Sequence, residues 1–413
     1  MNKVIILLIT YLFISAIDIH AETIVVCNTC KTESIKKAIT ISQPHDTIKI
    51  KQGTYKEYSI DVNKPLTLIG ENHPIIDGEK QGEIMTITSD SVKIDGLILK
   101  NVGNSYTEDF AAIRVKKSNY FEIKNLVIEN LFFGIYIEKS NHGKIINNKI
   151  LGSAINEYNS GNGIQLWYSH HIIIENNHVQ NMRDGIYLEF ADNSLIKNNT
   201  SIHNLRYGLH FMFSNNDEYE GNTFKENGAG VAVMFSKHIN MHKNKFLNNW
   251  GSASYGLLLK EINDAKITGN IFDKNTIGIS IEGSNRVDYI GNEFINNGWA
   301  LKVRGACYAN KFSNNNFLYN SFDVSYNSKI NDNTFDQNYW SNYTGYDLDK
   351  NGVGDVPYRP VKLFSYIVNR TPETIILLRS LFIDIIDFSE KVSPVFTPDN
   401  LVDNNPLIKK KVW

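Results

Sequence analysis

Residues 185–236 read GIYLEFADNSLIKNNTSIHNLRY, GLHFMFSNNDEYEGNTFKENGA and GVAVMFS, three segments that each open with a glycine and alternating apolar residues. The same opening recurs, mostly 22 residues apart, at Gly134, Gly163, Gly185, Gly208, Gly230, Gly256, Gly278, Ala300 and Phe322. A unit of this size cannot fold alone, but it can bury one face by stacking on similar neighbours. The period therefore predicts a solenoid.

Within each unit, the residues one and three positions past the opening are apolar, as in Leu209 and Phe211. Because strand side chains alternate, these residues point inward and those at positions two and four point outward. Fourteen positions past each opening stands an asparagine, at Asn148, Asn177, Asn199, Asn222, Asn244, Asn270 and Asn292. Stacked amides favour an all-β fold, a right-handed parallel β-helix. A β-propeller needs roughly 40 residues per blade, and a leucine-rich repeat needs its own leucine pattern, so the repeat described here disfavours both folds.

The pattern divides the chain into five parts. Lys3, an apolar run over residues 4–17 and Ala21 predict a secretory signal peptide over residues 1–21. Residues 22–60 contain a short amphipathic segment at 34–39 that we expect to cap the first coil, since an open end exposes unpaired strand edges. We expect the β-helix over 61–340, a loop over 341–360, and a helical segment with a tail over 361–413.

The C-terminal part is predicted to contain one amphipathic helix that runs to about residue 392. Thr371 is a candidate N-cap, Pro372 suits the first helical position, and residues 377–388 place their apolar side chains on one wide face. Charges on the opposite face argue against a membrane span. The tail over 393–413 is broken by proline and asparagine, so we expect it to reach a partner.

The charges of the chain nearly balance, with 42 Lys and Arg against 44 Asp and Glu. No basic block precedes residues 409–411, which makes nucleic acid an unlikely partner. Cys27 and Cys30 form a C-x-x-C pair that an exported protein could use as a disulfide or as a soft-metal dithiolate, and the sequence leaves both open. Cys307 receives no role.

One stretch of the outward face is unusual because it carries soft ligands. His210, Met212 and Met234 stand at outward positions of two adjacent coils, with Trp167, Tyr187 and Glu189 around them. Thioether sulfur prefers Cu(I), and imidazole also binds copper, so the three residues are a candidate copper site. The alternative is an apolar patch that docks a partner, because methionine adapts well at such surfaces.

The same stretch carries a family resemblance. The runs YGLHFMFSNND at 207–217 and NGAGVAVMFS at 227–236 resemble the NosD family, periplasmic accessory proteins for the maturation of nitrous-oxide reductase. The likeness continues through NYWS at 338–341, GDVPYRP at 354–360 and VFTP at 395–398, and so covers nearly the whole mature chain. The N-terminal helix and strand pattern also resembles the cap of pectate-lyase-like β-helices.

The resemblance implies a non-enzymatic, periplasmic role. Proteins of this family act with the membrane subunit of an ABC transporter, which would hold the chain at the inner membrane. A lipoprotein copper chaperone is the implied donor, nitrous-oxide reductase is the implied recipient, and Cu(I) is the implied transient cargo.

Two further readings of the sequence remain. A polysaccharide-active enzyme or carbohydrate-binding protein is the competing class, with Glu189 near Asp184 and Arg183 and with Trp167 and Tyr187 as sugar platforms. No pair of outward carboxylates repeats on neighbouring coils, which disfavours an enzyme. Separately, Asp347, Asp349, Asn351 and Asp355 match a calcium loop with glycine at its turn, although an ordinary turn has a similar pattern.

Overall fold

The computed structural model describes residues 21–105, 107–327, 332–392 and 401–412. Within these residues the strands form three parallel sheets of 14, 13 and 12 strands that wind into a right-handed β-helix. The predicted fold class is therefore confirmed. Residues 1–20 of the predicted signal peptide lie outside the described residues, as does Trp413.

The bounds of the strands follow the order of the coils. The first sheet contains Thr23–Val26, Thr47–Ile50, Thr67–Gly70, Lys93–Asp95, Glu122–Lys124, Lys144–Ile146, Ile173–Glu175, Leu195–Lys197, Glu218–Glu220, Asn240–His242, Asn263–Thr268, Asn285–Ile290, Lys311–Ser313 and Thr334–Asp336. The second sheet contains Thr54–Lys56, Ile75–Asp77, Ile98–Lys100, Val127–Glu129, Lys149–Leu151, His178–Gln180, Thr200–Ile202, Thr223–Lys225, Lys245–Leu247, Ile271–Asp273, Glu293–Ile295, Asn316–Leu318 and Tyr339–Trp340. The third sheet contains Ile60–Val62, Met85–Ile87, Ala111–Lys116, Phe133–Glu138, Ile164–Trp167, Asp184–Glu189, Tyr207–Met212, Ala229–Met234, Leu257–Lys260, Ile277–Glu282, Trp299–Arg304 and Phe322–Asn327.

The stack begins nearer the N-terminus than the repeat indicated. Thr23–Val26 already pairs with Thr47–Ile50, and helix α1 (Ile35–Ile41) lies between them in the chain. The Ser34 side chain accepts a hydrogen bond from the Lys37 amide at the start of α1. The apolar face of α1 belongs to the same buried core as the coils. The first coil is therefore closed by a helix inserted within it.

Two side-chain ladders hold successive coils in register. The first runs from Asn148 to Asn338, each amide donating to the Oδ1 of the next, as between Asn222 and Asn244 at 3.0 Å. A second ladder runs from Asn204 to Asn320 in another turn, and at its step from Asn227 to Asn249 the donor is the backbone amide of Asn227. Inside the solenoid an aromatic stack from Phe224 to Trp340 has ring centroids between 4.1 and 5.5 Å apart.

The glycines that open the coils are required by the close approach of neighbouring backbones. A Cβ atom on Gly230 would lie 2.3 Å from the carbonyl oxygen of Gly256, well inside van der Waals contact. The coil of Gly134 makes the same contact, also at 2.3 Å, with Gly163. The repeating glycine that reveals the period is therefore a consequence of the spacing between coils.

The C-terminal helical segment differs from the single helix that we expected. Helix α2 covers Leu363–Arg370, a 3-10 helix covers Pro372–Leu377, and helix α3 covers Leu381–Val392. Pro372 causes the first break, because the residue before a proline is disfavoured in the helical conformation. Thr371, with φ −134°, ends α2 and is also the N-cap residue of the 3-10 helix that begins at Pro372, although its side chain makes no capping hydrogen bond. Among the described residues, no helix is long and apolar enough to cross a bilayer.

The tail also differs from the expectation, since residues 401–412 pack on the last coil. Asp403 and Leu407 form parallel bridges with Phe335 and Tyr339. Leu401 and Asp403 are buried. The expectation that the tail leaves the solenoid to reach a partner is thus wrong for 401–412. Residues 393–400 lie outside the described residues.

Candidate metal and docking site

The candidate copper residues lie on the outer face of the third sheet. Met212 and Met234 are direct partners in neighbouring strands, and His210 is the partner of Tyr187 on one side and Ala232 on the other. Glu189 precedes Met212 in its row, and Trp167 precedes Glu189. The register therefore brings both thioethers and the imidazole onto one surface of adjacent coils, about 4.8 Å apart along the stack.

His210 is much less accessible than an outward position suggests. Only 8% of its surface is exposed, although it is not part of the apolar core. The rings of Tyr187 and Tyr207 cover it, with centroids 5.0 and 4.9 Å from the imidazole. Neither ring nitrogen has a hydrogen-bond partner. A buried polar atom without a partner costs about 1–3 kcal/mol of folding free energy, so the buried imidazole destabilises the fold at this position. Met212 and Met234 are partly exposed.

Asp184 lies beside this imidazole and is completely buried. Arg206 donates to both of its carboxylate oxygens, from Nε at 2.9 Å and from Nη2 at 2.5 Å. His210 Nδ1 is 3.8 Å from Oδ2 of the same carboxylate. Burial raises the pKa of Asp184, but the hydrogen bonds of Arg206 and the proximity of His210 outweigh burial and leave its pKa below the usual value. The carboxylate is therefore ionised at neutral pH.

Tyr187 connects the covered histidine to the outer row of the sheet. Its hydroxyl donates to Oε2 of Glu189 at 3.3 Å. Burial, followed by the charge of Glu189, raises the pKa of Tyr187 to about 12, so the phenol stays protonated. Trp167 lies at the far end of this row, and the ammonium of Lys139 is 4.9 Å from its ring centroid. Of the two rings of the expected sugar platform, Trp167 thus contacts Lys139 and Tyr187 packs against the imidazole of His210.

Two longer coils flank the site. The opening residues are 29 positions apart between Gly134 and Gly163 and 26 apart between Gly230 and Gly256. Both insertions precede a strand of the third sheet, and they bracket the coils that carry Asp184 and His210. Insertions in repeat proteins commonly form the edges of a binding face.

An exposed aromatic ridge runs alongside the methionines. Tyr168, Phe190, Phe213 and Phe235 stack ring on ring with centroids 4.5, 5.1 and 5.2 Å apart. All four have positive φ, between 48° and 52°. A bulky residue in this conformation costs about 1–2 kcal/mol, so nothing in the turn itself favours an aromatic side chain. At the equivalent turn position, the coil before the ridge has Lys139 and the coil after it has Glu261. The ridge therefore spans only the coils that carry the candidate site.

The donor atoms fit a soft monovalent cargo better than a hard cation. Within the described residues, no three His, Cys, Asp or Glu side chains are grouped to hold a metal. A copper ligand set here would instead consist of one imidazole and two thioethers, which suits Cu(I). The nitrogens of His210 without partners are the feature that agrees with such a ligand set.

The candidate calcium loop is organised by its own backbone. Asp347 accepts hydrogen bonds from the amides of Asn351 and Gly352 at 3.1 and 2.8 Å, and Asp355 accepts one from Leu348 at 2.7 Å. Asn351 also donates from its side chain to Asp349 at 2.8 Å. Each carboxylate thus has a role in the turn, and calcium binding remains a prediction.

The cysteines take different positions. Cys27 and Cys30 form a disulfide, which is one of the two alternatives that the sequence left open. Cys307 is buried, with Sγ 3.2 Å from the carbonyl oxygen of Arg304.

The residues of the competing enzyme interpretation do not converge. Asp184 is paired with Arg206, whereas Arg183 donates to the Asn162 side chain at 3.2 Å. Glu189 accepts from Tyr187, and Asp184 has no solvent exposure. An acid and a base that both reach a substrate are not assembled by these residues.

Three features of the site were missed from the sequence. Arg206 stands in the turn before the strand and Tyr207 is the first residue of that strand, and the repeat carries no fixed residue type at either position. The aromatic ridge had a visible signal, because its members stand five positions past successive openings. The cover over His210 had none, since it depends on how rings of neighbouring coils pack.

Comparisons with known proteins agree with this description. The family model "Periplasmic copper-binding protein (NosD)" matches residues 146–345. Two relatives, each described as "Probable ABC transporter binding protein NosD", come from Pseudomonas aeruginosa and Stutzerimonas stutzeri. Both are 27% identical to this chain over 84% of its length, and they are covered over 85% and 84% of their own length.

Solved structures share the fold at low identity. The mannuronan C-5 epimerase AlgE4 A-module of Azotobacter vinelandii has a TM-score of 0.60 and 12% identity, over 70% of this chain and 91% of that one. PfbA, a surface adhesin of Streptococcus pneumoniae, has a TM-score of 0.53 and 14% identity, over 74% and 85%. At this identity the likeness concerns the β-helix alone.

Proposed function

The chain belongs to the NosD family of periplasmic copper-binding proteins, and we propose that it carries Cu(I) during the maturation of the copper sites of nitrous-oxide reductase. The observation that supports this role is the buried imidazole of His210, without a partner, next to Met212 and Met234 in register. One imidazole and two thioethers would hold Cu(I) and exclude hard cations. In this role the protein is an accessory protein and catalyses no reaction.

We further propose that the C-terminal helices attach the scaffold to the membrane subunit of an ABC transporter. Helix α3 exposes Leu381, Phe382, Ile385 and Phe388 at 74, 57, 57 and 68% of their surface. A stable interface buries on the order of 1,600 Å² in total, so neighbouring loops would contribute as well. The relatives are themselves named as ABC transporter binding proteins. Export would follow from the signal peptide predicted over residues 1–21.

Copper binding is tested by anaerobic titration of the mature protein with Cu(I) against a chromophoric chelator. Wild-type protein is expected to withdraw copper from the chelator, and the triple variant His210→Ala/Met212→Ala/Met234→Ala is expected to lose this ability. Lys260→Ala changes the equivalent outward position on the next coil and serves as the matched control. Equal competition by the triple variant and the wild type would remove copper binding from this surface.

Docking is the second candidate role of the same surface, and the exposed aromatic ridge favours it. Met212→Leu/Met234→Leu keeps the apolar surface but removes both sulfurs. If the site holds copper, this pair weakens Cu(I) binding. If the site only docks a partner, the pair leaves both copper competition and partner capture as in the wild type, whereas Phe213→Ser/Phe235→Ser abolishes capture of a copper chaperone or of nitrous-oxide reductase.

A further inference from the structure

We propose that Asp184, held in place by Arg206, orients the imidazole of His210 and keeps its proton on Nδ1, so that Nε2 is left as the metal-binding nitrogen. The inference deepens the copper role proposed above and rests on it. It assigns a positioning function to two residues that would not themselves touch the metal.

The geometry around Asp184 is that of a fixed hydrogen-bond acceptor. Arg206 occupies one lone pair on each carboxylate oxygen through its two bonds, at 2.9 and 2.5 Å. The backbone amide of Tyr207 donates to Oδ1 at 3.3 Å. Each carboxylate oxygen has two lone pairs, so Oδ2 retains one for a further donor. That oxygen is the one that lies 3.8 Å from Nδ1 of His210.

The imidazole needs such an acceptor. Both of its nitrogens are buried without a partner, and the distance to Asp184 exceeds a hydrogen bond by less than about 1 Å. A shift of less than about 1 Å would bring Nδ1 within hydrogen-bond distance of Oδ2. Tyr187 and Tyr207 limit larger rotations, since their rings pack against the imidazole. With Nδ1–H directed at the carboxylate, Nε2 carries the lone pair, which is the arrangement that carboxylate partners impose on metal-binding histidines.

The ordinary alternative is a salt bridge, in which a doubly protonated imidazole neutralises Asp184. Arg206 already supplies a positive charge to that carboxylate, at bidentate distance. A second cation would also have to be buried between two aromatic rings, which is costly. The neutral tautomer with Nδ1–H therefore fits the site better, and the two states are distinguishable by nitrogen chemical shifts.

The first test uses metal-free wild-type protein with ¹⁵N-labelled histidine, so it requires neither copper nor a substitution in the pair. The His210 signals are identified by their absence in His210→Gln. We expect a protonated Nδ1 and an unprotonated Nε2 at neutral pH. An imidazolium, or a ring protonated on Nε2 alone, would overturn the inference. If the expected tautomer is found but wild-type protein binds no Cu(I), the copper role fails and the positioning stands.

The second test is Asp184→Asn. Oδ1 accepts from both Arg206 Nε and the Tyr207 amide, whereas Oδ2 accepts only from Arg206 Nη2, so we expect the amide oxygen of the variant at the Oδ1 position. The amide NH₂ will then face Nδ1 and force the proton onto Nε2, as in a serine-protease triad in which the same substitution gives the wrong tautomer. The expected result is a reversed nitrogen pattern and Cu(I) binding weakened by about 10- to 100-fold.

The matched control is Asp264→Asn, because Asp264 and Arg286 form a bidentate pair of the same kind, with contacts of 2.6 and 2.9 Å, away from His210. This variant should change neither the tautomer nor the copper affinity. Wild-type tautomer and affinity in Asp184→Asn would contradict the inference. If that variant does not fold, as judged by circular dichroism, the spectrum of the wild type decides.

Discussion

Asn222 satisfies every one of its side-chain hydrogen-bonding groups within the ladder. Its Oδ1 accepts from the amide and side chain of Asn199, and its Nδ2 donates to Ile196 O and to Asn244. Replacing Asn222 with alanine leaves these buried groups without partners. We expect the free energy of unfolding to fall by about 1–3 kcal/mol in urea titrations. Asn240→Ala, at an exposed strand position, should change it much less.

Asp323 makes stability depend on pH. Its Oδ1 has no partner, and its Oδ2 accepts from the Tyr358 hydroxyl at 3.3 Å. Burial raises the pKa of Asp323 to about 6, against the opposing charge of Lys362. The folded state therefore binds the proton more tightly than the unfolded chain, and its contribution to stability is lost as pH rises from about 4 through about 6. The loss at neutral pH is on the order of 3 kcal/mol.

The measurement is a series of urea titrations between about pH 4 and about pH 7. In the wild type, the change in the free energy of unfolding over this pH range should include the decrease caused by ionisation of Asp323. Asp323→Asn keeps the shape of the side chain but cannot ionise, so the difference between variant and wild type should grow in favour of the variant as pH rises. A difference that stays constant with pH would assign the effect to other groups.

At the level of elements, the last coil is completed by a residue far away in the chain. Asp403 takes the place of the next asparagine in the ladder, and its Oδ2 accepts from Asn338 N, Asn338 Nδ2 and Trp340 Nε1 at 3.1, 3.1 and 3.0 Å. Burial raises the pKa of Asp403, although these donors oppose the shift. The returning tail is thus a part of the solenoid.

We expect Asp403→Ala to destabilise the C-terminal end, by about 1–3 kcal/mol for each donor left without a partner. Hydrogen exchange of the Asn338 amide and of the Trp340 indole N–H should accelerate, while exchange near Asn148 stays unchanged, because coils in a repeat protein interact with their neighbours only. Asp403→Asn retains one acceptor oxygen and should lose less. Unaltered exchange in Asp403→Ala would show that the tail contributes little.

The elements differ in how far the sequence could predict them. The strands were predictable because Leu209, Phe211 and their equivalents repeat the same inward positions on coil after coil. The break at 378–380, between the 3-10 helix and α3, was not resolved, since the apolar face over 377–388 is equally amphipathic with or without an interruption. Asp403 had no signal at all, because it joins the ladder 65 residues after Asn338 and outside the period.

At the level of the whole molecule, the exposed helix face is the largest apolar feature that our proposal uses. We expect Phe382→Ser/Ile385→Ser/Phe388→Ser to abolish co-purification with the transporter. The free energy of unfolding should change by less than about 0.5 kcal/mol for each exposed position. Asp384→Asn, which is also exposed on α3, is the matched control and should co-purify normally.

Retention of the transporter by the triple variant would place the docking surface elsewhere. Deleting residues 393–413 is not a suitable test, because it also removes Asp403 and uncovers the last coil. Ile383→Ser is a comparison variant for the exposed positions. Because Ile383 is buried with Phe364 and Val368, this substitution should destabilise the packing of the helices.

The candidate site was predictable only in part for a related reason. The phase of the strand was enough to put Met212 and Met234 on one surface. The buried state of His210 depends on Tyr207 and Asp184, which begin two neighbouring strands one position before the opening glycine, where the residue type varies between coils. Contacts made at the repeating positions were readable, and contacts made at these variable positions were not.

The stacking of coils also fixes the distances between sites along the molecule. From His210 the register passes through Ala232, Leu258, Ser280 and Lys302 to Ser325, which lies on the strand against which α2 packs. Five steps of about 4.8 Å place the soft ligands about 24 Å from the helical end. The separation cannot shorten without breaking the ladders. A protein docked at the helices would therefore reach His210 only if it extends about 24 Å along the third sheet, and a smaller recipient would have to bind at that sheet in its own right.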